Sequence, residues 1–227
     1  RSDAARNVMS AEVSTSTDNG KTWTHRLITN VVKPKGITGT FATSGNGIQI
    51  KHGKYAGRLV QQYIGTDSAH NGYAYSVYSD DHGATWHAGN RIGNSFNENK
   101  VVELSDGRLM LNSRNWGDGV GRLIAISDDG GVTWKNQYLD TALVDPEVNA
   151  GITRMNPQAT SGKAAKELLF TNANNSPYNW QIDVDRKGQW INRITGNVRY
   201  SCDNGATWPV SRVYHYGPHA YSSVTAL

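Results

Sequence analysis

The sequence predicts an all-β fold assembled from repeated strand-turn-strand units. Three observations carry this expectation. An octet of the form S-x-D-x-G-x-T-W occurs four times, at residues 16–23, 79–86, 127–134 and 201–208. The 227 residues include 24 Gly, 7 Trp and 11 Tyr with modest charge, a balance that suits strands and turns better than helices. Runs rich in alternating and β-branched residues are punctuated by Gly and Asp turn signals.

Each residue of the octet has a task in a tight turn. The Asp side chain can accept hydrogen bonds from the turn's backbone N–H groups. The Gly can take a positive φ. The Ser and Thr hydroxyls can tie turn to strand, and the Trp supplies an apolar plug under the hairpin. Four copies of such a device mark a repeat architecture.

In chain order, residues 8–14 read as a strand entering the first octet and 24–30 as the strand leaving it. Residues 45–50 and 58–64 form two strands joined by a Gly-containing turn near 52–57. Residues 73–78 alternate into the second octet. Residues 100–104 and 108–114 make a hairpin over Ser105-Asp106-Gly107, where Asp-Gly is a strong turn signal. Residues 122–127 enter the third octet. Residues 166–171 and 198–201 bracket a longer loop, and 211–214 and 222–227 follow the fourth octet. The one helical turn expected lies within 162–167. Segments 141–162 and 172–189 are polar and irregular, as surface connections or the lining of a ligand mouth would be.

Bulk properties exclude some functions. The net charge of +4 comes without a run of Lys or Arg, which disfavours a nucleic-acid surface but suits an acidic ligand held by a few arginines. Cys202 is the only cysteine, so no intrachain disulfide can form. No apolar stretch approaches the length of a membrane span. The chain starts with Arg1, so the lack of a visible signal peptide says little about secretion.

The octets resemble the Asp-boxes of sialidases, whose catalytic domain is a six-bladed β-propeller. Asp-boxes carry no catalysis and also occur in other propellers, such as sortilin-like receptors and some glucanases, so function has to come from other residues. Asn97-Glu98-Asn99-Lys100-Val101-Val102-Glu103-Leu104-Ser105-Asp106-Gly107 and on to Asn112-Ser113-Arg114 is similar to the bacterial sialidase segment N-E-x-x-V-V-E-L-x-D-G-x-L-x-x-N-x-R. That resemblance implies a base at Glu98 and a substrate-clamping arginine at Arg114. Glu103, within the hairpin strand, reads as structural. The stretch from Arg193 to Ser201 resembles the place of the family's last clamp arginine, which points to Arg193, with Arg186 and Arg199 as alternatives. His219-Ala220-Tyr221-Ser222 resembles the segment around the family's nucleophile and implies Tyr221. Ser2-Asp3-Ala4-Ala5 is similar to the family's S-D-A-P and implies an acid/base at Asp3, although Ala5 stands where the pattern has Pro.

These types fit the implied chemistry. Guanidinium groups match a carboxylate with paired donors and stay charged. A neutral phenol avoids repulsion at an anomeric centre bearing a carboxylate, but needs an adjacent base. The resemblance thus implies a retaining exo-α-sialidase acting on sialylated glycoconjugates through a tyrosyl-enzyme intermediate. It implies no cofactor or metal, and a secreted or cell-surface setting. The alternatives are a non-catalytic Asp-box propeller that binds glycan or protein, and another glycosidase working with paired carboxylates. Residues 1–227 read as one catalytic propeller, incomplete in its first and last blades, with the first clamp arginine missing. The chain alone is therefore expected to hydrolyse poorly. Asp3, Glu98, Arg114, Arg193 and Tyr221 are expected to converge at one end of the propeller, with the box tryptophans outside that mouth.

Overall fold

A computed structural model describes residues 9–117, 121–174, 183–184, 190–191 and 193–226. The described fold is all-β, with two single-turn α-helices. Strands β1 (Glu12–Thr15) and β2 (Thr24–Leu27) form an antiparallel hairpin around the first box. A second sheet holds β3 (Gly39–Ala42), β4 (Ile48–Gln49), β5 (Leu59–Thr66), β6 (Gly72–Ser79) and β7 (His87–Ala88). A third holds β8 (Phe96–Glu103), β9 (Leu109–Asn115), β10 (Arg122–Ser127) and β11 (Lys135–Asp140). Next come β12 (Gly151–Arg154), β13 (Leu168–Ala173), the short pair β14 (Asp183–Val184) and β15 (Trp190–Ile191), β16 (Ile194–Ser201) and β17 (Val210–Pro218). Of these, β12, β13, β16 and β17 form a four-stranded antiparallel sheet in that order.

Each sheet packs on the next in chain order. Ala11, Ile28 and Val32 meet Tyr63, Tyr75 and Val77 of the second sheet. Ile50 and Val60 of the second meet Val101 and Leu109 of the third. Val102, Met110 and Ile124 of the third meet Ile152, Leu168 and Phe170 of the fourth. Burying such side chains contributes about 1.5–3 kcal/mol each relative to exposure, so apolar inter-sheet seams dominate stability.

The boxes form as expected. In all four the Ser hydroxyl donates to the Asp and accepts from the Gly N–H, while the Asp accepts the Thr N–H and hydroxyl, all at 2.5–2.9 Å. Thr hydroxyl donation is the main cause that pulls Asp18 and Asp81 down to about 2. The tryptophans differ. Trp208 is buried, whereas Trp23 is 54% exposed and donates its indole N–H to the Gly20 carbonyl of its own box at 3.0 Å.

Two expectations are corrected. The strand expected over 24–30 ends at Leu27, and Thr29–Val32 turns into a helix. That turn buries Ile28 and Val32, four residues apart, against the second sheet. The segment 141–162, read as irregular, contains β12, because β13 offers it a pairing edge that local composition cannot announce.

Polar latches join each sheet to the box of the next. Arg26 donates to the Gly83 and Ala84 carbonyls at 2.7 and 2.6 Å. Arg58 donates to the Asp129 and Gly130 carbonyls at 3.2 Å, lies between the Tyr55 and Tyr78 rings, and forms a two-point pair with Asp80. Asn204 exchanges hydrogen bonds with the Ser105 N–H and hydroxyl. Arg58→Ala should cost about 2–3 kcal/mol, read as a lowered denaturation midpoint. Arg26→Ala, at an exposed site, should cost well under half of that.

Candidate active site

The candidate residues arrive from the β8–β9 hairpin and from the segments just before β16 and just after β17. Glu98 sits in β8 where the pairing with β9 shifts by one residue between Phe96 and Asn99. Such a bulge re-aims a side chain. Asn97 secures it, accepting the Glu98 N–H at 2.7 Å while its own N–H donates to the Ser113 hydroxyl at 3.0 Å. The β8–β9 hairpin then returns Arg114 to Glu98, with Arg114 Nη1 3.0 Å from Glu98 Oε2. The side chains of Glu98 and Arg114 are 8% and 17% exposed, so this pair is weakly screened.

Tyr221 comes from the segment after β17. Its phenol donates to Glu98 Oε2 at 2.5 Å. The Ser222 hydroxyl donates to the Thr171 carbonyl at 2.8 Å and fixes the segment on β13. Burial, then the Glu98 hydrogen bond and charge, push the Tyr221 phenol above its ordinary value, while Arg114 and Arg193 pull the other way. Tyr221 is thus a neutral phenol whose proton already points at its acceptor.

Arg193 lies just before β16. Its Nη2 donates to the Glu147 carbonyl at 3.0 Å and its Nε to the Pro146 carbonyl at 3.4 Å. Its own carbonyl accepts the His219 N–H at 2.9 Å, two residues before Tyr221.

Glu147 is a residue that sequence reasoning missed. It has a φ of 55°, and left-handed backbone at a non-Gly residue is held only by its surroundings. Its carbonyl takes Arg193, and its carboxylate lies 3.5 Å from Arg114 Nη2, so it links the two arginines. Asp145 anchors the loop. It accepts the Asn115 N–H at 2.6 Å and the Val148 N–H at 3.3 Å, and pairs with the fully buried Arg122 at 3.2 Å. Burial pushes the Asp145 carboxyl up, and Arg122 with both N–H groups pulls it down. The only hint in the sequence was that the polar segment 141–162, with its Asn, Pro and Gly, could line a mouth.

The structure therefore brings Glu98, Arg114, Arg193 and Tyr221 into one connected group. Asp3 and the alternative Arg186 lie outside the described residues. The alternative Arg199 sits inside β16, where its guanidinium reaches Asn174 at 3.4 Å. Glu103 accepts the Lys51 and His52 N–H groups at 2.8 and 2.9 Å, a structural role as read. Among the described residues no group of three or more His, Cys, Asp or Glu side chains is arranged to hold a metal ion. No described helix is long and apolar enough to cross a membrane.

Comparisons with known proteins bear on this geometry. Residues 2–226 match the BNR repeat-like domain family. The chain is 47% identical over 223 residues to a sialidase of Micromonospora viridifaciens, covering 97% of this chain and 32% of that protein. It is 31% identical over 189 residues to an anhydrosialidase of Macrobdella decora, covering 81% of this chain and 23% of that protein. The solved structure of the Hadza microbial sialidase Hz136 superposes with a TM-score of 0.77 at 28% identity, over 94% of this chain and 39% of that one. The chain thus spans about a third or less of the length of these curated relatives. With nearly its whole length matched, this chain belongs to the BNR repeat-like domain family and is a relative of bacterial sialidases.

Proposed function

We propose that the protein carrying this chain is a retaining exo-α-sialidase that removes terminal sialic acid from glycoconjugates. The observation that carries the reading is the contact of one Glu98 oxygen with both the Tyr221 phenol and the Arg114 guanidinium. A clamp arginine, a base and a nucleophile in mutual contact suit a sugar bearing a carboxylate at its anomeric carbon. The matches to proteins named sialidases, 47% identical in one case, support it.

In this reading Arg114 and Arg193 hold the sugar carboxylate. Glu98 takes the Tyr221 proton as the phenolic oxygen attacks the anomeric carbon. The leaving oxygen receives a proton from Asp3, which then activates the water that releases the sugar. Tyrosine here replaces the carboxylate nucleophile of most retaining glycosidases. Glu147 holds the two arginines in register before the ligand arrives, so less ordering is needed on binding.

The same reading makes residues 1–227 part of a six-bladed propeller domain, in a secreted or cell-surface protein, with the remaining clamp arginine supplied from outside this chain. The test is release of a fluorogenic aglycone from a sialoside by the complete protein between about pH 4 and 8. Absence of release across that range, with the folded protein in hand, refutes the proposal.

A further inference from the structure

We propose that Lys100 is a positioning residue whose buried ammonium supplies the field that draws the sugar's carboxylate into the site. The inference rests on the sialidase reading above and adds a residue to it.

Lys100 lies on β8, two residues after Glu98, and is only 5% exposed. Its Nζ has no hydrogen-bond partner among the described residues. Its location is built, not incidental. A Cβ on Gly45, where φ is +91°, would stand 2.9 Å from Lys100 Nζ and 3.4 Å from the Ser223 hydroxyl oxygen. The ammonium thus fills the point where the Gly45 turn meets the segment that carries Tyr221. A cavity of about 110 Å³, lined in part by Asn46, Lys100, Gly151 and Ser223, adjoins it.

An unpaired buried cation is costly, because water is lost and nothing replaces it. Burial accordingly pushes Lys100 down to about 8, with Glu98 pulling it back up and Arg122 adding to the fall. The nearby carboxylates have closer partners. Glu98 is engaged by Arg114 and Tyr221, and Asp145 by Arg122. Besides Glu98 on its own strand and Arg122 on β10, the groups that face it among the described residues are neutral: Gly45 and Asn46 from the turn, Gly151 from β12, and Ser223 from the Tyr221 segment. A charge kept at such cost, beside a site that must attract an anion, is explained if its field acts on that anion.

The sign of the pH dependence follows. The folded protein holds the Lys100 charge below about pH 8 and loses it as pH rises through that value. Wild-type affinity for a carboxylate-bearing ligand should therefore weaken on passing pH 8.

The experiment compares wild type, Lys100→Met and Lys100→Arg in the complete protein. KM and kcat for a sialoside, and Kd for a planar dehydro-sialic acid inhibitor, are measured from pH 6 to 9.5. At pH 6, Lys100→Met should raise KM and Kd by roughly three- to thirtyfold, the size expected for one unit charge acting on another without direct contact in a partly desolvated site. The effect on kcat should be smaller. The wild-type loss of affinity near pH 8 should vanish in Lys100→Met, and Lys100→Arg should keep the affinity and move that loss beyond 9.5. Lys100→Met should melt no lower than wild type, since it removes an unpaired buried charge.

An unchanged Kd in Lys100→Met at pH 6 would overturn the proposal. So would survival of the pH 8 step in that variant, an Arg variant as weak as Met, or a melting midpoint several degrees lower. The inhibitor arm separates this from the parent reading. Wild type that binds the inhibitor without cleaving the sialoside would sink the hydrolase and leave the Lys100 test standing.

Discussion

Tyr221→Phe in the complete protein should lower turnover by at least about a thousandfold, since nucleophile and base act as a unit. The substitution keeps the ring and its packing and removes only the oxygen that donates to Glu98 at 2.5 Å. The arginines keep their contacts with Glu98 and the Glu147 carbonyl. Affinity for a planar dehydro-sialic acid inhibitor should therefore change far less than turnover. Glu98→Gln should resemble Tyr221→Phe in turnover, and the double variant should be little worse than either. Steady-state kinetics with calorimetric inhibitor binding separates the two quantities. Near-normal turnover in Tyr221→Phe would refute Tyr221 as the nucleophile and bring forward Tyr216 and Tyr214, the latter bonded to His219 in the structure.

Arg114→Ala should show the opposite pattern, with inhibitor affinity and turnover both lost. A hydrogen bond to a charged group is worth about 1.5–3 kcal/mol, which is roughly tenfold to a hundredfold in Kd. Turnover should fall further, because Glu98 Oε2 loses the guanidinium that holds it at 3.0 Å. Arg114→Lys should rescue little, since an ammonium cannot serve Glu98, Glu147 and a ligand carboxylate from one planar fork. Inhibitor affinity within about twofold of wild type in Arg114→Ala would remove Arg114 from the clamp.

Much of this was legible in the residues. The four boxes fold as their residue types require, because a turn closed by its own Ser, Asp and Thr is a local matter. The β8–β9 hairpin was legible for the same reason, with Asp106-Gly107 at its tip and Glu98 and Arg114 brought to one end. Tyr221 was reached only through resemblance, since nothing local distinguishes it from ten other tyrosines. Glu147 and Asp145 were not legible individually. Their roles depend on Arg193, Arg122 and Asn115, up to 46 residues away. The helical turn after Leu27 was missed because its stabilising partners, Tyr63 and Tyr75, lie on another sheet.

The latches made by Arg26, Arg58 and Asn204 have a consequence for the chemistry, although none of them touches it. Glu98 and Tyr221 are 123 residues apart and belong to different sectors of the structure, so their separation depends on the angle at every joint between them. A reactive pair tolerates only about 0.5 Å of misplacement, and angular errors at successive joints accumulate. The Ser105–Asn204 latch lies at the joint between the third sheet, which carries Glu98, and the fourth, on which the Tyr221 segment rests, while the Arg58 latch fixes the third sheet against the second. The boxes thus serve as the indexing teeth of a dial: they set the pitch of each sector at the rim, and the alignment at the centre inherits it.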